Sequence, residues 1–162
     1  MNKPITQDAI EAIMLRLQST PDLFSSLLDG LERDQPAIIN WLFSESFDIL
    51  SQEEKQYFLF LSLVIIVSIS EEIVIEDVVD PKTIEIAEEK NWELFTSQSS
   101  KEFREKVNVF FNAYPQEDLL AFVEDALELE HEDQVVTTVG RPPMFIALKT
   151  IIDVLALNRE VQ

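Results

Sequence analysis

The sequence predicts an all-α protein: a single domain of seven to eight helices, packed as a bundle or short orthogonal array around a buried central helix at about 52–69. Three observations predict it. Only Gly30 and Gly140 are glycines in 162 residues, so the tight turns that close β-hairpins have almost no residue to form them. Apolar residues recur at i, i+3, i+4 and i+7 in most segments, the spacing of one buried helical stripe. The stretch from Gln56 to Ile69 is apolar on every side apart from Gln56 and two serines, so other elements must wrap it.

Ser51-Gln-Glu-Glu54 marks the start of that central element. In a capping box the serine hydroxyl accepts from the N3 amide while the glutamate reaches back to the serine amide. Val64, Ile65, Ile66, Val67 and Ile69 are β-branched, which leaves a buried strand near 63–69 as the alternative. The 13 residues from Tyr57 to Ile69 would extend about 20 Å as a helix, short of the ~30 Å hydrocarbon core of a bilayer. The stretch is therefore a core segment and not a membrane span.

The flanking elements follow in order. Ile10, Ile13, Met14 and Leu17 place a helix at about 6–19. Thr20-Pro21-Asp22 supplies a cap, a first-turn proline and an acid that suits the dipole of the next one. Leu23, Phe24, Leu27, Leu28 and Leu31 form its apolar face, and Gly30 is the expected terminator. Pro36 opens a third segment to about Leu50, with a bend expected near Ser44 and Ser46. Residues 71–79 mix acids with β-branched residues and fit a last helical turn, a short strand or a loop.

Asp80-Pro81 starts a helix that runs through about Phe95 on Ile84, Ile86, Ala87, Trp92 and Phe95. Thr96 to Ser100 is a linker too short to separate domains. A second capping box, Ser99 to Glu102, leads into the stripe Phe103, Val107, Phe110, Phe111 and Tyr114. Pro115 begins a helix that packs Leu119, Leu120, Phe122, Val123, Ala126 and Leu127 inward. Pro142-Pro143 opens a final apolar helix to about Leu157, with Phe145, Leu148, Ile151, Ile152 and Leu155 facing the centre.

Composition bounds function. The chain carries 31 acids against 12 Lys and Arg, a formal net charge of −19. A surface of that sign repels phosphate backbones, so direct nucleic-acid binding is not expected, and basic partners are attracted. With no cysteine, disulfides and thiolate chemistry are excluded, as are cysteine zinc and iron–sulfur sites. The first residues, Met-Asn-Lys-Pro-Ile-Thr-Gln-Asp, hold no signal-peptide core, which makes the cytoplasm the default location.

Chemistry-bearing patterns are few. His131 is the only histidine; Glu128-x-x-His131 has the spacing of a carboxylate-bridged di-iron ligand pair, but the second pair that such a site needs is missing. No nucleophile elbow, calcium loop or phosphate loop is present. No catalytic residue, metal or cofactor is assigned. Gly140 and Arg141, ahead of a helix start, form a candidate anion site through free amides, dipole and guanidinium. Glu117, Asp118, Glu124, Asp125, Glu128 and Glu132 form a candidate acidic interaction face.

The expectation is a non-enzymatic protein–protein interaction module whose partner is a basic protein or a second copy of the chain. A nucleic-acid-mimicking inhibitor of a DNA-binding protein, and a helical protein holding a small ligand or metal, are the alternatives.

Overall fold

Helix starts fall where short polar side chains and prolines put them. The structure, a computed structural model, describes residues 3–98, 102–129 and 135–157, and these carry eight α-helices and no strand. Helix α1, Gln7–Ser19, begins at Thr6, whose hydroxyl accepts from the Ala9 amide at 3.2 Å. Helix α2, Pro21–Asp34, has its first-turn proline, yet the Thr20 side chain makes no cap bond; its carbonyl accepts from Leu23 instead. Gly30, expected to end α2, lies inside it with no positive φ, and α2 ends only where Pro36 forbids another turn.

Helix α3, Pro36–Leu42, is a single short piece, followed by a 3-10 turn at Glu45–Phe47. The break expected near the serines is there, so the helix does not reach Leu50, and Ile49 is left 59% exposed. Helix α4, Gln52–Glu72, starts with both capping-box bonds formed, Ser51 N to Glu54 Oε1 at 2.9 Å and Glu54 N to Ser51 Oγ at 3.1 Å. Its β-branched run is helical and buried from Leu61 to Ile69, so tertiary wrapping overrides strand propensity.

The chain then runs irregularly from Ile73 to α5, bending at Ile73 and Asp77, and pairs with no strand among the described residues. Gln35 holds it: the side-chain amide donates to Asp77 O and accepts from Val79 N, both at 2.8 Å, standing in for a neighbouring strand. Helix α5, Pro81–Thr96, is capped by Asp80, which accepts from Lys82 N. Its buried residues are Ile84, Asn91 and Phe95, whereas Ile86, expected inside, is 45% exposed because it lies on the opposite side of the helix.

Helix α6, Phe103–Asn108, is short and runs into a 3-10 turn at Val109–Phe111. The expected Ser99 capping box falls on residues 99–101, outside the described residues; Glu102 stands at the helix start without a side-chain cap bond. Helix α7 spans Glu117–Ala126, and α8 spans Arg141–Ile152 with a π turn at Asp153–Leu157.

One core joins all of this, but it has two centres. Helix α8 is buried from Met144 to Ile152, as fully as α4, and packs on α4, α5 and α7, while α4 also meets α1 and α2. Phe145 of α8 is packed between Phe103 and Phe110 at ring separations of 5.8 and 5.5 Å. Among the described residues no helix is long and apolar enough to cross a membrane.

Candidate functional site

Helices α1 and α7 begin together. Ile5 N donates to the buried Gln116 amide oxygen at 2.9 Å, Gln116 Nε2 donates to Lys3 O at 3.2 Å, and Gln7 N donates to Asp118 Oδ2 at 3.0 Å. These bonds fix the two helices as walls of a cleft of about 340 Å³ over the first half of α4. Ile10, Met14, Phe60, Leu61 and Phe122 make it apolar inside. Tyr57 closes one end and donates its hydroxyl to Ala126 O at 2.8 Å, and burial pushes its phenol pKa up.

The cleft's charge has one sign. Glu11, Asp118 and Asp125 stand on its rim, and among the described residues no lysine or arginine lines it. Arg16, the only basic residue of α1, is turned away to Glu71 of α4. Leu15 sits beside Glu11 and Gln18 on the α1 surface and is 62% exposed, so the apolar surface continues past the rim. A second cleft of about 400 Å³ lies between α2 and α4, but its Arg33 and Asp34 are paired with each other at 3.2 Å and give it no net sign.

The acids expected to share a face are divided by helix geometry. Asp118 and Asp125 are seven apart and sit on the cleft side, exposed; Glu117 and Glu124 are also seven apart, but about 100° further round α7. Glu124 buries Oε2 without a hydrogen-bond partner among the described residues. Burial raises its pKa, with Arg104 and Arg141 opposing and Asp125 and Glu128 adding to the rise. Glu128 lies 4.0 Å from Arg104, and Glu132 is outside the described residues.

At Gly140 and Arg141 the structure brings in a residue the sequence did not associate with them. The Glu54 carboxylate lies against Gly140, where an added Cβ would collide with it, and its Oε2 accepts from Thr137 N and Thr137 Oγ1, both at 2.9 Å. Gly140 N in turn donates to Thr137 Oγ1 at 3.0 Å. The anion at the start of α8 is thus the chain's own. Burial pushes the Glu54 pKa up, but hydrogen bonds from Ser51 and Thr137, backbone and side chain, outweigh it and hold the carboxyl below its ordinary value. The Arg141 guanidinium does not join this carboxylate; it stacks 4.0 Å over the Phe103 ring. Its pKa is lowered by burial, against the pull of Glu128 and Glu124.

A buried polar network lies at the other end of α8. Lys149 Nζ donates to Asn91 Oδ1 at 2.9 Å and Asp153 Oδ2 at 2.8 Å, and also faces the Phe110 and Tyr114 rings. Asn91 donates to Thr150 and Asp153, and Tyr114 donates to Asp153 Oδ1 at 2.6 Å. Burial, then the adjacent Asp153 carboxylate, push the Tyr114 phenol far up. The lysine's donors and the carboxylate's oxygens are engaged inside the protein, as in a structural ion pair rather than a reacting one. The signal was present in the sequence: Lys149 and Asp153 are the only charges between Pro142 and Leu157, four residues apart.

Among the described residues no group of three or more His, Asp or Glu side chains is placed to hold a metal ion; His131 lies outside them. No family model matches the chain, and no curated protein or solved structure matches it.

Proposed function

We propose that this protein is a non-enzymatic interaction module whose α1–α4–α7 cleft takes a basic amphipathic segment of a protein partner. One observation carries the proposal: an apolar cleft with Glu11, Asp118 and Asp125 on its rim and, among the described residues, no lysine or arginine. Its inside rewards aliphatic side chains at about 25 cal/mol per Å² removed from water, and its rim rewards lysine or arginine beside them. The net charge of −19 extends the same preference over long range, raising the association rate with basic chains and opposing a second copy of this one.

The test is a titration of a labelled Lys/Leu peptide, with a Glu/Leu peptide of identical apolar pattern as control. Binding of the basic peptide alone, weakening as salt rises from 50 to ~500 mM, is the expected result. The variant Glu11→Lys, Asp125→Lys should lose about tenfold in affinity. Equal binding of both peptides, or an unchanged affinity in the variant, would show that the cleft does not select by charge.

A further inference from the structure

We propose that two copies of this protein pair through the surface made by the end of α3, the 3-10 turn after it and the first half of α4, each copy seating its Phe43 in the other's cleft. Helix α3 buries Ile38, Ile39 and Leu42 and ends there, so Phe43 is carried past the buried stripe and is left 64% exposed. Ile49, just after the 3-10 turn, is 59% exposed. A single exposed apolar side chain is ordinary on a protein surface, but two large ones beside an apolar cleft form a patch.

That cleft holds about 290 Å³ and is apolar inside through Leu42, Phe47, Phe58 and Leu59, with Phe43 on its edge. The Phe47 ring already meets Trp41 edge-on at 5.4 Å and Phe58 at 4.8 Å. A ring entering there extends an aromatic array in which ring contacts add to burial. Knob and hole thus share one surface. Such a surface complements itself under a two-fold rotation, the commonest symmetry of paired chains, and every contact is made twice.

Charge favours a second copy as the occupant. Among the described residues only Asp48 and Lys55 bring charge to the lining, and they pair with each other at 3.4 Å with both side chains well exposed. A surface pair of this kind is worth little, so its members exchange with the same residues of the facing copy at little cost. Gln52 and Gln56 add uncharged, exposed amides to the lining. The other neutral cleft, between α2 and α4, has no exposed large apolar side chain in its lining and so no knob to offer. Elsewhere the net charge of −19 opposes pairing, and Glu45 and Glu53 bring that repulsion close to the patch until salt screens it.

Sedimentation equilibrium of the full chain reads the pairing directly. A two-chain mass at ~500 mM salt, with a dissociation constant on the order of 10 μM that weakens about tenfold at ~50 mM, is the expected result. This salt dependence has the opposite sign to that of the basic peptide, so the two proposals stand or fall separately. Phe43→Ser acts in both copies and should weaken pairing about 100-fold, and Ile49→Ser about tenfold. Leu15→Ser, on the exposed surface of α1, should leave it unchanged. All three side chains are exposed, so at low salt each variant should unfold in urea at the wild-type midpoint, which separates a lost dimer from a lost fold.

A one-chain mass at both salt concentrations up to ~0.5 mM protein overturns the proposal. Pairing that survives Phe43→Ser, or that Leu15→Ser abolishes instead, overturns it as well, because the copies would then meet elsewhere.

Discussion

At its N-terminal end α8 receives the carboxylate of Glu54, held by hydrogen-bond donors alone; at its C-terminal end it carries Asp153, ion-paired to Lys149 at 2.8 Å. Glu54 is buried and Asp153 half-buried, and the helix dipole accounts for the different means. The positive partial charge at a helix start favours an anion, and the donors that hold Glu54 ionised come from Thr137 in the turn before α8 and from Ser51 at the start of Glu54's own helix. A helix C-terminus disfavours an anion, and there the carboxylate comes with a cation one turn before it. Where a buried charge sits along a helix decides whether it needs a counter-ion.

Changes at the two ends should differ in size. Lys149→Met leaves Asp153 and Asn91 desolvated beside an apolar side chain and should cost about 3–5 kcal/mol in urea unfolding. A loss under about 1 kcal/mol would mean that the network adjusts without its cation. Gly140→Ala forces the Glu54 carboxylate off its donors without touching a charge, and a loss of about 2–3 kcal/mol is expected.

Glu54→Gln keeps the shape but sets an amide NH₂ among donors, for about 1–2 kcal/mol at neutral pH. Because the folded carboxyl titrates below the ordinary value of 4.5, its stabilisation is complete above that pH and is lost as pH falls through the lowered value. The gap between wild type and Glu54→Gln should therefore close in acid, which equilibrium unfolding at a series of pH values would follow. The smallest expected effect is the coupling of the two ends. They are about 13 Å apart along the helix, so Gly140→Ala and Lys149→Met should add to within ~0.5 kcal/mol in a double-mutant cycle. A larger coupling would make α8 a single cooperative unit.

What could be foreseen divides by the range of the interaction. The Ser51–Glu54 box, the Asp80–Pro81 start and the apolar run within α4 depend on neighbours within a few residues, and all three are legible in the sequence. Glu54 illustrates the limit: its bond to Ser51 is local and foreseeable, while its bond to Thr137 joins residues 83 apart and is not. Gly140 looked like a residue for a loosely held external anion, but its missing side chain is needed for the approach of an internal one. The cleft was hidden for a similar reason, since Asp118 and Asp125 face it only because Gln116 and Asp118 fasten α1 alongside. Gly30 misled through propensity, because glycine ends helices often but a helix interior tolerates it at about 1 kcal/mol.

The bonds that Gln116 makes with Ile5 and Lys3 hold the start of α1 against the start of α7. Gln116→Ala would leave the Ile5 amide and the Lys3 carbonyl without that partner and let α1 swing. In the docking role proposed above, an occupant would then have to repay the ordering of that helix, so a buried residue away from the apolar interior of the cleft would set affinity.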